Sequence, residues 1–171
     1  IRTRATLPPV TAENPPRSPA AMIIGITVAL CLLGCGLFAI PVVGIVAAIA
    51  IPNFVAMQMK AKRAEVPGNV DALKTAELAY DAAYDRYVPF GDEAEARNSV
   101  GKQPRDWVDD EGTLLLGWRP DGQVRGAYWA EVDGNSFTVH GICDADGDGE
   151  FAEYVATEST NATLVTSPHV Y

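Results

Sequence analysis

Cysteine and histidine are scarce in this chain, and their scarcity removes several chemistries at once. Among 171 residues there are three Cys and two His. Cys31 and Cys35 fall inside one apolar run and Cys143 stands alone beyond it, so no disulfide framework can be drawn downstream. His140 and His169 have no Cys or His at zinc-ligand spacing and no evident nucleophile–base arrangement. A C-x-x-C-H pattern is absent, which argues against covalent haem. Basic residues are also in short supply: 13 Lys and Arg face 22 Asp and Glu, for a net charge of −9. An acidic chain is repelled by phosphate backbones, so nucleic acid is excluded as the main partner and cations become the natural small ligands.

One stretch lacks charge altogether. From Ala20 to Ile51 there is no Asp, Glu, Lys or Arg in 32 residues. As a single helix this run would reach roughly 48 Å, against a bilayer core of about 30 Å. It is too long for one snug span and too short for two spans and a turn, so one helix that overshoots the bilayer is expected. Before it lies a Pro-rich tail, residues 1–19, with Pro8, Pro9, Pro15, Pro16 and Pro19, expected to be extended and unable to bury much apolar surface. The tail carries Arg2, Arg4 and Arg17 against Glu13, whereas the remainder after the run is strongly acidic. By the positive-inside argument the N-terminus is cytoplasmic and the acidic part is exported.

Within the run, Gly25 and Ala29, then Gly44 and Ala48, are small residues four apart, a spacing that lets helix backbones approach closely in lipid. With Pro52 at its base they are the candidate helix-packing positions; Pro41 and Pro52 each remove a backbone donor and predict local bending. Ordinary membrane-helix composition explains the same small residues. Leu32-Leu33-Gly34-Cys35 also reads as a lipoprotein cleavage box, but the residues after Cys35 stay apolar where a tethered protein would turn polar.

Beyond Pro52 the pattern changes. Val70, Leu73, Ala76, Leu78, Tyr80, Ala83, Tyr84 and Tyr87 recur at spacings near three and four, predicting an amphipathic helix over 53–88 divided at Pro67-Gly68. Residues 89–112 are acidic and turn-rich and read as a connecting loop. From Thr113 the rhythm is strand-like. Thr113 to Trp118 is apolar, Arg119-Pro120-Asp121-Gly122 is a turn, and Val124, Tyr128, Ala130 and Val132 share one side of a strand. Asp133-Gly134-Asn135 turns the chain back into Phe137, Val139 and Gly141. A third connection, Asp144 to Gly149, leads into Phe151, Glu153 and Val155, and Thr163 to Thr166 adds a short last strand. Residues 113–171 thus predict an antiparallel sheet packed on the amphipathic helix, an α+β module. Trp107, Trp118 and Trp129 read as sheet core rather than a carbohydrate platform.

Asp144-Ala-Asp146-Gly-Asp148-Gly149 is the one site-like constellation. Alternating carboxylates separated by glycine allow several oxygens to converge on a hard cation such as calcium. The spacing matches the first half of an EF-hand loop, but Val155 stands where the closing bidentate carboxylate belongs. Glu150 or Glu153 could substitute from the following strand. A polar hairpin turn is the alternative, since Asp and Gly are the usual turn residues.

Three blocks together carry a family resemblance: GIVAAIAIPNF from Gly44 to Phe54, Ala61-Lys62-Arg63 with Glu65, and NVDALKTAELAY from Asn69 to Tyr80. Over Gly44 to about Tyr87 the chain resembles the helical spine of type IV pilins and pseudopilins. That resemblance implies a long N-terminal helix, half in membrane or filament core and half under a small antiparallel sheet, at a bacterial inner membrane. It implies a structural role without catalysis, and partners that are membrane lipid, other membrane-protein subunits or copies of the chain itself. The family's prepilin peptidase context is not found before the run, and Cys35 falls where the family places a glutamate. An uncut anchor is therefore expected. Three functions remain open: a membrane-anchored assembly subunit with a periplasmic or extracellular domain, a pilus or pseudopilus filament subunit, and an exported calcium-binding or adhesive module.

Overall fold

The computed structural model describes residues 18–171; the Pro-rich segment through Arg17 lies outside the described residues. Helix α1 runs Pro19–Arg63 and α2 runs Glu65–Tyr84. They are followed by α3 Glu93–Ser99, α4 Glu111–Leu116, and strands β1 Ala127–Asp133, β2 Ser136–Cys143, β3 Ala152–Thr157 and β4 Thr163–Leu164. The strands form one antiparallel meander in the order β1-β2-β3-β4. The chain is α+β and pilin-like in arrangement, with a long apolar helix ahead of a small four-stranded sheet. The described residues divide into two units, one ending at Ala50 and the other spanning Ile51–Tyr171.

The helical boundary differs from expectation. The predicted break at Pro67-Gly68 appears three residues earlier, at Ala64, because a proline acts on the preceding turn. Pro67 has no N–H for the Arg63 carbonyl and its ring crowds that carbonyl, so the ladder is interrupted there. Pro67 itself sits in the first turn of α2, where a missing donor costs nothing. Residues 53–63 accordingly belong to α1, and α2 ends at Tyr84, with Asp85 in the left-handed conformation at φ 54° and its N–H on the Asp81 carbonyl at 2.7 Å.

Helix α2 packs on β2 and β3 through Val66, Val70, Leu73 and Glu77, a 4-3-4 stripe. This stripe only partly matches the predicted face: Val70 and Leu73 are buried, Ala76 and Tyr80 are half-buried, and Leu78, Ala83 and Tyr84 are exposed. Facing α2 are Tyr128, Ala130, Phe137, Val139, Cys143, Ala152, Tyr154 and Ala156. Gly141 of β2 permits the close approach: a Cβ there would lie 2.4 Å from Val70 Cγ2 and 2.9 Å from Val66 Cγ1. On β3 the buried face is Ala152, Tyr154 and Ala156, so Phe151, Glu153 and Val155 belong to the opposite face. The helix selects the small alanines on its own side, a choice that strand alternation alone leaves undecided.

Polar side chains of α2 fix this docking. Glu65 Oε1 accepts the backbone N–H groups of Arg125 at 2.5 Å and Gly126 at 3.2 Å. Asn69 Nδ2 donates to the Tyr128 hydroxyl at 2.8 Å, and Asp71 Oδ1 accepts from Ala162 N–H at 2.7 Å. Buried Arg63 donates to the carbonyls of Val170 and, at 3.2 Å, Pro168, with its guanidinium over the Tyr171 ring.

Two predictions for the middle of the chain are corrected. Residues 89–112 are not a plain loop: they contain α3, which packs on β1, and single bridges Phe90–Ala130 and Arg105–Val124. Thr113 to Leu116 is helical rather than extended. Asp110 and Thr113 form a reciprocal capping box, with Thr113 N–H donating to Asp110 Oδ1 at 2.6 Å, and Gly117 closes the turn at φ 62°. The β1–β2 hairpin is as expected: Gly134-Asn135 form a two-residue loop in which Gly134 alone takes positive φ, as a II′ turn requires. Trp129 is buried in a second cluster with Ala96, Ala127 and Ile142, while Trp107 and Trp118 are half-buried against the main core.

Candidate functional site

Two features stand out as surfaces for work: the bare apolar helix α1 and the carboxylate loop between β2 and β3. At 1.5 Å per residue, α1 with its 45 residues extends about 68 Å. It is long and apolar enough to cross a membrane, and none of its most apolar 18-residue window is buried. Large side chains such as Leu33, Leu37 and Ile40 are each 75% exposed. The candidate packing residues Gly25, Ala29, Gly44, Ala48 and Pro52 are all exposed on this helix, and a Cβ at Gly25 or Gly44 would meet nothing within 4 Å. Cys31 and Cys35 are exposed on the same helix. Cys143 is the opposite case: it lies in the core, and burial pushes its thiol up to about 12.

In the β2–β3 connection, Asp144, Asp146 and Asp148 bring one carboxyl oxygen each within 4.8 Å of one another. The loop is shaped by its first carboxylate. Asp144 Oδ1 accepts from Gly147 N–H at 2.6 Å and Oδ2 from Gly149 N–H at 3.2 Å, with both glycines at positive φ. Asp148 Oδ1 accepts from Glu150 N–H at 2.8 Å. Asp146 Oδ1 is shut from solvent and has no donor among the described residues. Its carboxyl is raised above the usual range by desolvation first, then by Asp148 and Asp144. Glu150 is exposed, and its carboxylate is not among those brought together. Glu153 is committed elsewhere: it lies on the outer face of β3, with Oε1 3.1 Å from His140 Nδ1 and Oε2 3.7 Å from Arg97. His140 is stacked on Trp129 at 4.7 Å.

Sequence reasoning missed one buried carboxyl. Glu77 continues the apolar stripe of α2 four residues after Leu73 and is 0% exposed. Its Oε2 accepts Val88 N–H at 2.9 Å, while Oε1 has no partner among the described residues. Desolvation raises its pKa to about 7, against a smaller opposing effect of the Val88 hydrogen bond. Its heptad-like position after Val66, Val70 and Leu73 was the available signal.

Comparison with known proteins adds one relative. Over 54 residues the chain is 43% identical to the type IV major pilin protein PilA of Myxococcus xanthus (strain DK1622). That stretch is similar to a pilin. It covers 32% of this chain and 24% of that pilin, so the likeness is local to about a quarter of the relative's length. No family model matches, and no solved structure matches.

Proposed function

We propose that this chain is a non-enzymatic, pilin-like structural subunit. Helix α1 anchors it in a membrane and packs there against copies of itself in a filament. The observation that carries this reading is the unpartnered apolar surface of α1 in a chain locally similar to a major pilin. An exposed apolar face of this size is covered by lipid or by other helices. Small residues at 25, 29, 44 and 48 favour helices as part of that cover. A membrane-anchored accessory subunit, packed against other members of a complex with its acidic part exported, is the alternative.

Oxidative cross-linking in intact membranes tests the reading, because Cys31 and Cys35 are native probes on α1. Disulfide-linked ladders of this chain alone are expected, and they disappear when both cysteines are Ser. Links only to other proteins would shift the assignment to the accessory subunit. Mass spectrometry of the native N-terminus complements this, since a chain cut near Cys31 with a methylated amine would identify processing as a pilin.

A second reading concerns the Asp loop. We propose that Asp144, Asp146 and Asp148 hold a calcium ion, supported by the unpartnered Asp146 Oδ1 beside two like charges. Three carboxylate oxygens without a closing bidentate ligand favour weak affinity. Calcium should raise the melting temperature of the wild type but not of Asp146→Asn; an identical response in both removes the site.

A further inference from the structure

A pocket of about 330 Å³ lies between α3, residues 105–110 and the first residues of β1, at the low end of the ~300–1,000 Å³ range of ligand clefts. Asp92, Glu95, Asp109 and Asp110 line it with Arg105 and Trp107. Three of these carboxylates already have donors. Asp110 accepts from Gly91 N–H at 2.7 Å and from Thr113, Asp92 accepts from Glu95 N–H at 3.0 Å, and Asp109 lies 3.6 Å from Arg119. The Glu95 carboxylate pairs with nothing among the described residues.

Arg105 is left in the complementary condition. Its Nη2 donates to the Gly126 carbonyl at 3.1 Å, its Nε is buried without a partner, and no carboxylate comes within 4.0 Å among the described residues. Beside it in the pocket wall, the Trp107 indole N–H is also buried and unbonded. Burial lowers the Arg105 pKa, and Tyr128, Glu65 and Glu95 offset this only in part. A half-buried guanidinium is retained at such a cost when something accepts its hydrogen bonds.

One positive group without a carboxylate partner and one carboxylate without a donor therefore line the same pocket without pairing with each other. A multiply charged anion would meet four carboxylates, and a simple cation would meet Arg105. We infer that the pocket binds a small zwitterion bearing an α-ammonium-carboxylate group. The ligand carboxylate takes the Arg105 guanidinium, and the ligand ammonium takes Glu95. Both are charge-assisted hydrogen bonds, the strong class.

Calorimetry on the full chain in detergent micelles tests the assignment, with glycine, alanine and leucine as ligands and acetate, methylamine and N-acetylglycine as controls. Saturable heat with an amino acid is expected, weakened roughly tenfold or more when either ligand charge is removed or in Glu95→Gln. Arg105→Gln should abolish it. Because the Glu95 side chain bonds nothing among the described residues, Glu95→Gln keeps the test valid should Arg105→Gln unfold. No saturable heat with any of the three amino acids overturns the proposal. So does acetate binding as well as glycine, or Glu95→Gln binding like the wild type.

Discussion

Residues 19–50 and residues 51–171 solve the problem of apolar surface in opposite ways. In the first, nearly every side chain of a long helix points into open space, and the helix holds its shape by backbone hydrogen bonds alone. In the second, α2 and four strands enclose Val66, Val70, Leu73, Phe137 and Val139 almost completely. The contrast teaches that the stability of the two parts has different sources. The downstream unit gains its burial from its own chain, whereas the apolar helix must gain it from lipid or from other helices.

The largest break in this contrast should come from charge in the apolar helix. Leu33→Asp with Leu37→Asp places two carboxylates in its middle, at about 3 kcal/mol each on insertion scales. The protein should leave the carbonate-washed membrane fraction, while the near-UV circular dichroism of the downstream unit stays unchanged. A loss of both together would show the two parts to be one cooperative structure.

Glu77 supplies the next effect, and it is pH-dependent. Its carboxyl is raised from 4.5 to about 7 in the fold. Below both values the group is neutral in folded and unfolded chains, and its unfolded form ionises first as pH rises. The unfolded state then binds fewer protons, so stability falls from about pH 4.5 to 7 and levels off above. The expected loss is about 2 kcal/mol, allowing for water entry around the carboxylate. Urea unfolding from pH 5 to 8 should show this decline in the wild type and not in Glu77→Gln.

Gly141→Ala tests the seam between α2 and the sheet. The added carbon meets Val70 at 2.4 Å, and the helix must shift. A loss of about 2 kcal/mol in the urea midpoint of the downstream unit is expected, without effect on membrane retention. The smallest effect should come from Leu114→Ser. Leu114 is 65% exposed, close to the exposure of many α1 residues, yet it lies on α4 of the self-sufficient unit. A change within about 0.5 kcal/mol is expected, which would separate incidental apolar exposure from the surface that needs a partner.

Much of this architecture was legible locally. An uncharged run of helical length, Gly134-Asn135 between alternating strands, and Asp-Gly alternation after Cys143 each encode their shape within a few residues. Apolar composition misled at Thr113 to Leu116, where the Asp110–Thr113 cap and Gly117 outweigh the strand-like side chains. At Phe151, Glu153 and Val155 the strand itself was legible, but its buried face depends on which side α2 occupies. Of the proposed calcium ligands, the three aspartates are brought together by their own loop, while Glu153 is held by His140 and Arg97 across the sheet.

By itself, then, the sequence determined what depends on near neighbours: the long apolar helix, the turn positions, the hairpin and the acidic loop. Tertiary structure alone decided what depends on distant ones. It buried Glu77 against Val88, set Arg63 on the carbonyls of residues 168 and 170, and brought Glu95 and Arg105 to one pocket without letting them pair. The reason is physical. Backbone preference and turn chemistry act over a few residues, but burial and charge compensation are properties of whatever the folded chain places alongside.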